Sequence, residues 1–319
     1  MRGLAKRDVL SISDLSSAEI LEIINAARQL KRDLKSGRMT QPLRGRCLGM
    51  IFQKPSTRTR VSFEVAISQL GGYAISLNSS EIQLARGETI EDTAKTLSLY
   101  MDCVMARVYA HADLETLASH ASVPVINGLS DHFHPCQTLA DLMTIQECFG
   151  RLKGIKVAWL GDGDNVCNDL LIGCAKTGAD ISVACPADYA PLERAVDIAR
   201  KAGDESGSQI QIGDDPRFAA ADADVIVTDT FVSIGKEEEI SDRQKAFYPK
   251  YQVNAQLMST AKPEAIFLHC LPAKRGQEVT SEVIDGPASR VWQEAENRLH
   301  AQKALLCFLI VSREHESYS

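Results

Sequence analysis

The strongest constraint in this sequence is an alternation. Short apolar runs of strand length take turns with stretches of helical period along nearly the whole chain. A first helix is expected over 16–35, with Ile20, Ile23, Ile24, Ala27 and Leu30 on one face. The run at 47–52 reads as a strand, followed by a polar turn and a helix carrying Val61, Val65, Ala66 and Leu70. Gly71-Gly72 ends that helix, as glycine commonly does. Strands at 74–77, 103–106 and 123–126 alternate with helices at 89–101, 113–120 and 137–149. After a polar break at 150–154 a second series begins, with strands at 156–160, 181–185, 225–228 and 266–270. Its helices fall at 166–176, 192–201, 254–258 and 290 to about 309. The pattern predicts an α/β chain of two doubly wound domains, 1–150 and 151–319, each a parallel sheet flanked by helices.

A length of 319 residues suits two domains of ~150. Thirty-five Lys plus Arg against forty-two Asp plus Glu leave a net charge of −7, which argues against a mainly electrostatic nucleic-acid binder. No apolar run approaches the ~20 residues of a membrane helix, and the N-terminus has no stretch of signal-peptide length. Nine cysteines, an odd number without a CxxC pair, argue against a disulfide framework and for a cytoplasmic setting.

Residues able to do chemistry gather at the turns. Ser56-Thr57-Arg58-Thr59-Arg60 lies between a strand and a helix. Its hydroxyls, two guanidiniums and helix-terminal amides can converge on a phosphate dianion. The competing reading is a polar helix start with solvated arginines. The Walker A pattern is absent. Gly161-Asp162-Gly163-Asp164-Asn165-Val166 invites a dinucleotide reading, but Val166 replaces the third glycine and the next strand ends at Cys185-Pro186 without a ribose-holding acid. Two aspartates would also repel a pyrophosphate, so a polar substrate loop is favoured.

Asp131-His132-Phe133-His134-Pro135-Cys136-Gln137 has a His-x-His spacing without a second ligand pair, so no metal is expected. His269-Cys270-Leu271-Pro272 closes the last predicted strand. Strand alternation sends His269 and Cys270 to opposite faces, against a nucleophile–base pair between them. A buried structural cysteine is the plain alternative.

Together with Met105-Ala106-Arg107, Asp229 and Ser233, and Glu296-Asn297-Arg298, these motifs resemble the aspartate/ornithine carbamoyltransferase family over nearly the whole chain. The resemblance implies that 1–150 binds carbamoyl phosphate and 151–319 the amino acid, with the last helix returning to the first domain. By position, Ser56, Thr57, Arg58 and Thr59 would hold phosphate, and Arg107, His134 and Gln137 the carbamoyl end. Gln83 would reach a neighbour's site in a homotrimer or a multiple of trimers. Asn165, Asp229 and Ser233 would bind the α-amino and carboxylate groups of L-ornithine, with Ile234, Cys270 and Leu271 bordering its chain and amine. Arg298 would support the closed site, and the implied catalytic residues are Arg107, His134, Cys270 and Arg298.

The implied reaction moves the carbamoyl group to the side-chain amine of ornithine, giving citrulline and phosphate without metal or organic cofactor. The His-Cys-Leu-Pro motif points away from aspartate as acceptor. Asp164, Asp169, Phe231 and Ile234 depart from the family's usual Asn, small residue, Trp and Met. They leave a related amine open: an acylated ornithine, putrescine or a shorter diamino acid. Outside this class stand an NAD-dependent oxidoreductase and a non-catalytic carbamoyl-phosphate binder.

Overall fold

A computed structural model describes residues 8–232 and 237–311. The chain forms two compact units, one running to Leu139 and resuming at Arg298, the other spanning Ala140–Asn297. The division falls within a helix, ahead of the polar break at Gly150, because helix and break answer to different constraints. A turn sequence marks where the chain can bend; a compact unit ends where side chains change neighbours.

The first unit contains α1 (Ser17–Lys35), β1 (Cys47–Phe52), α2 (Thr57–Gln69), β2 (Tyr73–Asn78), α3 (Ile90–Ser98), β3 (Cys103–Arg107), α4 (His111–His120), β4 (Val125–Leu129) and the start of α5 (Pro135–Phe149). Its sheet has the order β2-β1-β3-β4, and each neighbouring pair is parallel. The central strand β1 is buried at every position, whereas the edge strand β2 alternates with partly and fully exposed residues. Helix α1 begins at Ser16, whose hydroxyl accepts from the Glu19 amide while Glu19 reaches back to the Ser16 amide. That start buries Ile20, Ile23, Ile24 and Ala27.

The second unit holds β5 (Lys156–Leu160), α6 (Asn165–Thr177), β6 (Asp180–Ala184), α7 (Glu193–Ser206), β7 (Ile210–Gly213), α8 (Pro216–Ala220), β8 (Val225–Thr228), α9 (Ile240–Phe247), α10 (Ala255–Met258), β9 (Ile266–His269), α11 (Ser281–Ile284) and the start of α12 (Val291–Ile310). Its sheet order is β7-β6-β5-β8-β9, again parallel throughout. The core beneath it includes Leu160, Phe231, Phe247, Tyr251 and Phe267.

Both sheets are therefore doubly wound, as the alternation predicts. The chain builds outward from β1 to one side and then to the other, and does the same from β5. The order reverses between β1 and β3 in one sheet, and between β5 and β8 in the other. At such a reversal the connections leave toward opposite faces and open a crevice at the carboxyl ends of the strands. Among the described residues no helix is long and apolar enough to cross a membrane.

Boundaries differ from expectation for local reasons. β4 starts at Val125 rather than 123, since Pro124 has no amide to donate to the ladder. β7, missed in the sequence, is a four-residue edge strand with only Ile210 partly buried. The last strand stops at His269, one residue before Cys270.

Gly49 and Gly163 are among the glycines that a close neighbour restricts. A Cβ on Gly49 would lie 2.0 Å from the Met101 sulfur, and one on Gly163 would lie 2.3 Å from the Pro191 nitrogen and 2.6 Å from the Tyr189 carbonyl oxygen. Gly163→Ala is expected to cost about 1–3 kcal/mol of stability by overpacking, because backbone atoms cannot rotate away as a side chain can. Urea unfolding of the two proteins measures this, and an unchanged midpoint would contradict it.

Candidate functional site

In the first unit the candidate residues converge on the carboxyl ends of β1, β3 and β4. Ser56 caps α2, its hydroxyl accepting from the Thr59 amide at 3.2 Å. The amides of the first helical residues, Thr57 and Arg58, precede the intrahelical ladder and are oriented for an anion. Arg58 is exposed, and Thr59 is 1% exposed. Arg107 ends β3, in register with Phe52 of β1, and its carbonyl accepts from the Gln53 amide. These contacts fix the turn after β1 against the end of its neighbour.

Arg298, on the returning part of α12, joins the group. One guanidinium nitrogen donates to the Gln137 side-chain oxygen at 2.7 Å and another to the Thr59 hydroxyl at 3.4 Å. The bond to its oxygen turns the Gln137 amide nitrogen away from Arg298. His134 is 4% exposed, and its Nδ1 has no hydrogen-bond partner among the described residues. Burial first, then the charges of Arg298 and Arg107, push its pKa well below the ordinary histidine range. The ring is a neutral polar group beside two permanent cations. It can donate a hydrogen bond without adding charge.

Not every expected group converges. Arg60 lies along α2 and pairs with Glu64 at 3.0 Å, both exposed, so the two guanidiniums of the Ser-Thr-Arg-Thr-Arg motif do not converge. The i, i+4 spacing that permits this pair was visible in the sequence. Gln83 is exposed in a short helical turn apart from these contacts.

In the second unit the candidates lie beyond β5, β8 and β9. Asn165 opens α6 and is 8% exposed; Asp164 caps that helix, accepting from the Asn165 amide at 2.8 Å. Asp169 is fully buried in the same helix. Asp229 follows β8, with one carboxylate oxygen accepting from the Thr230 amide at 2.6 Å. Burial raises the Asp229 pKa most, while His269, the Cys270 thiol and the Thr230 amide pull it back. Burial likewise drives the Cys270 thiol well upward, and the Asp229 carboxylate adds to the effect. Cys270 is therefore a thiol donor rather than a thiolate nucleophile.

The opposite-face expectation for His269 and Cys270 is corrected here. Ligand atoms of Asp229, His269 and Cys270 lie within 4.8 Å of one another. Alternation holds only inside a regular strand. β9 ends at His269, so the alternation no longer governs Cys270. The Leu271 amide donates to His269 Nδ1 at 2.9 Å, so the ring proton sits on Nε2, which donates to Glu278 at 3.3 Å. Glu294 accepts from the His269 amide at 2.9 Å. Asp229, His269 and Cys270 are donors a zinc-class ion accepts, but both ring nitrogens of His269 are already engaged. Ser233 and Ile234 lie outside the described residues.

Sequence reading missed Glu278 and Glu294. Neither stands beside a motif turn, and only the folded chain brings them to His269. The glycines that suggested a dinucleotide loop have backbone reasons. Gly161 has φ 138°, and Gly163 abuts the Tyr189–Pro191 backbone.

Comparison with known proteins gives matches over almost the full length. Residues 7–147 match the carbamoyl-P binding domain of the aspartate/ornithine carbamoyltransferase family, and 153–309 its Asp/Orn binding domain. The chain is 57% identical to ornithine carbamoyltransferase of Cenarchaeum symbiosum over 306 residues, covering 96% of this chain and 99% of that protein. It is 52% identical to the Bacillus subtilis ornithine carbamoyltransferase, covering 98% and 96%. The solved ornithine carbamoyltransferase of Pyrococcus furiosus superposes with a TM-score of 0.94 at 53% identity, covering 97% of this chain and 99% of that one.

The depressed His134 pKa has a consequence for stability. Below the ordinary histidine value of 6.5 the unfolded chain takes up a proton that the folded ring refuses. The His134 contribution is therefore complete above that pH and is lost as pH falls through the window beneath it. Thermal melts at a series of pH values are expected to show a steeper acid loss for the parent than for His134→Gln. Equal slopes would contradict the assignment.

Proposed function

Because the chain belongs to the aspartate/ornithine carbamoyltransferase family, we propose that it transfers the carbamoyl group of carbamoyl phosphate to the side-chain amine of L-ornithine, giving citrulline and phosphate. The first unit takes carbamoyl phosphate and the second takes the amino acid. The observation that carries this is the buried assembly of Thr59, Arg298 and Gln137 with neutral His134, on the same strand ends as the Ser56 helix start.

In this reading Ser56, Thr57, Arg58 and Thr59 surround the phosphate with amides, hydroxyls and one guanidinium. Arg107, His134 and the Thr59 hydroxyl point donors at the carbonyl oxygen, where negative charge grows as the amine attacks. Preorganised donors of this kind contribute about 3–4 kcal/mol each in a protease precedent. Gln137 receives the carbamoyl amine, and Arg298 holds Gln137 and Thr59 in place. The δ-nitrogen bonds to the carbonyl carbon, the carbon–oxygen bond to phosphate breaks, and the nitrogen sheds a proton to the departing phosphate.

Asn165, Asp229 and Ser233 bind the α-amino and carboxylate groups of ornithine, with Ile234, Cys270 and Leu271 along its chain and amine. The half-buried, weakly solvated setting of Asp229 and Cys270 supports this, since desolvation favours the uncharged amine that attacks. The acids that left the acceptor open carry less weight in the fold. Asp164 spends an oxygen on the Asn165 amide, and Asp169 is fully buried within α6.

The proposal includes a homotrimer. Exposed Val61, Tyr73, Ile75, Leu99 and Tyr100 supply apolar surface in the first unit, which also presents exposed Gln83. It also includes a cytoplasmic setting, in keeping with nine free cysteines.

Citrulline formation should be assayed with carbamoyl phosphate and a panel of ornithine, acetylated ornithine, putrescine, a shorter diamino acid and aspartate. Ornithine is expected to give the highest kcat/KM, and no turnover with it would reject the reading. Arg58→Ala is expected to raise the KM for carbamoyl phosphate about tenfold or more, as loss of a charge-assisted bond of roughly 1.5–3 kcal/mol requires. Cys270→Ala should leave that KM nearly unchanged and act on the acceptor step. Light scattering is expected to return three times the 34.9 kDa chain mass or a multiple of that trimer.

A further inference from the structure

Two histidines that the proposed reaction does not use stand together where the loops after β3 and β4 meet. His111 opens α4 and is buried, and His132 lies in the turn between β4 and α5. Their ring centres are 5.5 Å apart, and the Phe133 ring packs at a steep angle against both, at 5.2 and 6.2 Å. Each imidazole faces a carboxylate. His111 Nε2 is 3.7 Å from a Glu115 oxygen, and His132 Nε2 is 3.8 Å from an Asp131 oxygen.

Both distances exceed a hydrogen bond and approach the spacing of ligands around one ion. A tetrahedral ion with bonds of about 2.1 Å holds neighbouring ligand atoms about 3.4 Å apart. His111 and Glu115 are one turn apart on α4, so a single helical face presents both. The sequence shows no second ligand pair for the His132-x-His134 spacing; the fold supplies one to His132 alone, from α4. Outer contacts are in place as well. Asp131 is anchored through its other oxygen, which accepts from the His111 amide at 2.7 Å. A metal on His111 Nε2 requires the ring proton on Nδ1, and the Ser130 hydroxyl lies 2.8 Å from that nitrogen. Ser130 has a lone pair for it: the oxygen accepts from the Phe133 amide at 3.2 Å and turns its own proton to the Phe133 carbonyl at 3.4 Å. The side chains of Glu115, Asp131 and His132 are open to solvent. Rotations that are fast and cheap at a surface bring their ligand atoms onto an ion.

We propose that His111, Glu115, Asp131 and His132 form a binding site for a divalent transition-metal ion of the zinc class. Two imidazoles with two carboxylates suit zinc, cobalt or nickel, whereas calcium and magnesium take oxygen ligands. The bound ion clamps the start of α4 to the turn before α5, joining the loops that follow two neighbouring strands. Its role is structural, and no step of carbamoyl transfer passes through it. Asp229, His269 and Cys270 also gather metal-binding atoms, but that group contains a thiol, which distinguishes the two by spectroscopy.

The test is a titration of the untagged chain with Co2+, after removal of metal by chelation and with the thiols kept reduced by a phosphine, followed by visible absorption. The parent is expected to bind one ion per chain, with tetrahedral cobalt bands and no sulfur-to-cobalt charge-transfer band. Its melting temperature should rise when Co2+ is present, since the ion binds only the folded chain. His132→Ala and Glu115→Gln should each weaken Co2+ binding about tenfold or more, at least the loss that follows removal of an outer-shell partner. Each should also abolish the melting shift. Both side chains face solvent, so neither variant opens the core, and if one fails to fold the other decides. A sulfur-to-cobalt band would put the ion at a cysteine and overturn the proposal. So would a titration unchanged in either variant, or a parent that shows no saturable binding.

Discussion

Parallel strands must be joined by crossovers, and where the strand order reverses two neighbouring crossovers leave for opposite faces. Backbone ends there face a gap that neither helix fills. This geometric necessity places the chemistry of both units. In the first, the reversal between β1 and β3 sets the Ser56 helix start beside Arg107. In the second, the reversal between β5 and β8 sets the Asn165 turn beside Asp229. One topological rule used twice opens a crevice at the strand ends of each unit.

The two crevices differ in electrostatic character. Around His134 the buried charges are guanidinium groups, and the ring responds by staying neutral. Around Cys270 they are carboxylates, and thiol and acid both respond by holding their protons more tightly. In each case burial is the largest influence and neighbouring charge the second. A neutral imidazole among cations and a protonated thiol among acids are both hydrogen-bond donors that add no charge of their own.

Much of this was legible in the sequence, because parallel strands buried on both faces read as uninterrupted apolar runs. β1 and β5 fall where those runs lie, and the residues just beyond them are the motif residues. What escaped was set by tertiary context. The edge strand β7 has too little buried surface to mark a run. The partners of His269, namely Glu278 and Glu294, lie nine and 25 residues further along the chain, outside any regular spacing that would announce them. The juxtaposition of His269 and Cys270 follows from the end of β9 at His269, where the regular alternation stops and which the apolar run does not mark. The Ser-Thr-Arg-Thr-Arg motif located the helix start correctly, yet the direction of Arg60 was decided by Glu64 one turn on.

Helix α12 grips α2 at both ends, with Arg298 on Thr59 near its start and Lys303 on the Gln69 side chain at its finish. The unit that starts the chain is thus completed by the segment that finishes it. During synthesis the ribosome releases all of the intervening unit before that last helix is available, whereas domains generally fold as units, N-terminal first. Helix α2 therefore waits, partly unsupported, until the residues around Arg298 and Lys303 are made, and a nascent chain halted before them would carry a second sheet already complete and a first one lacking its clasp.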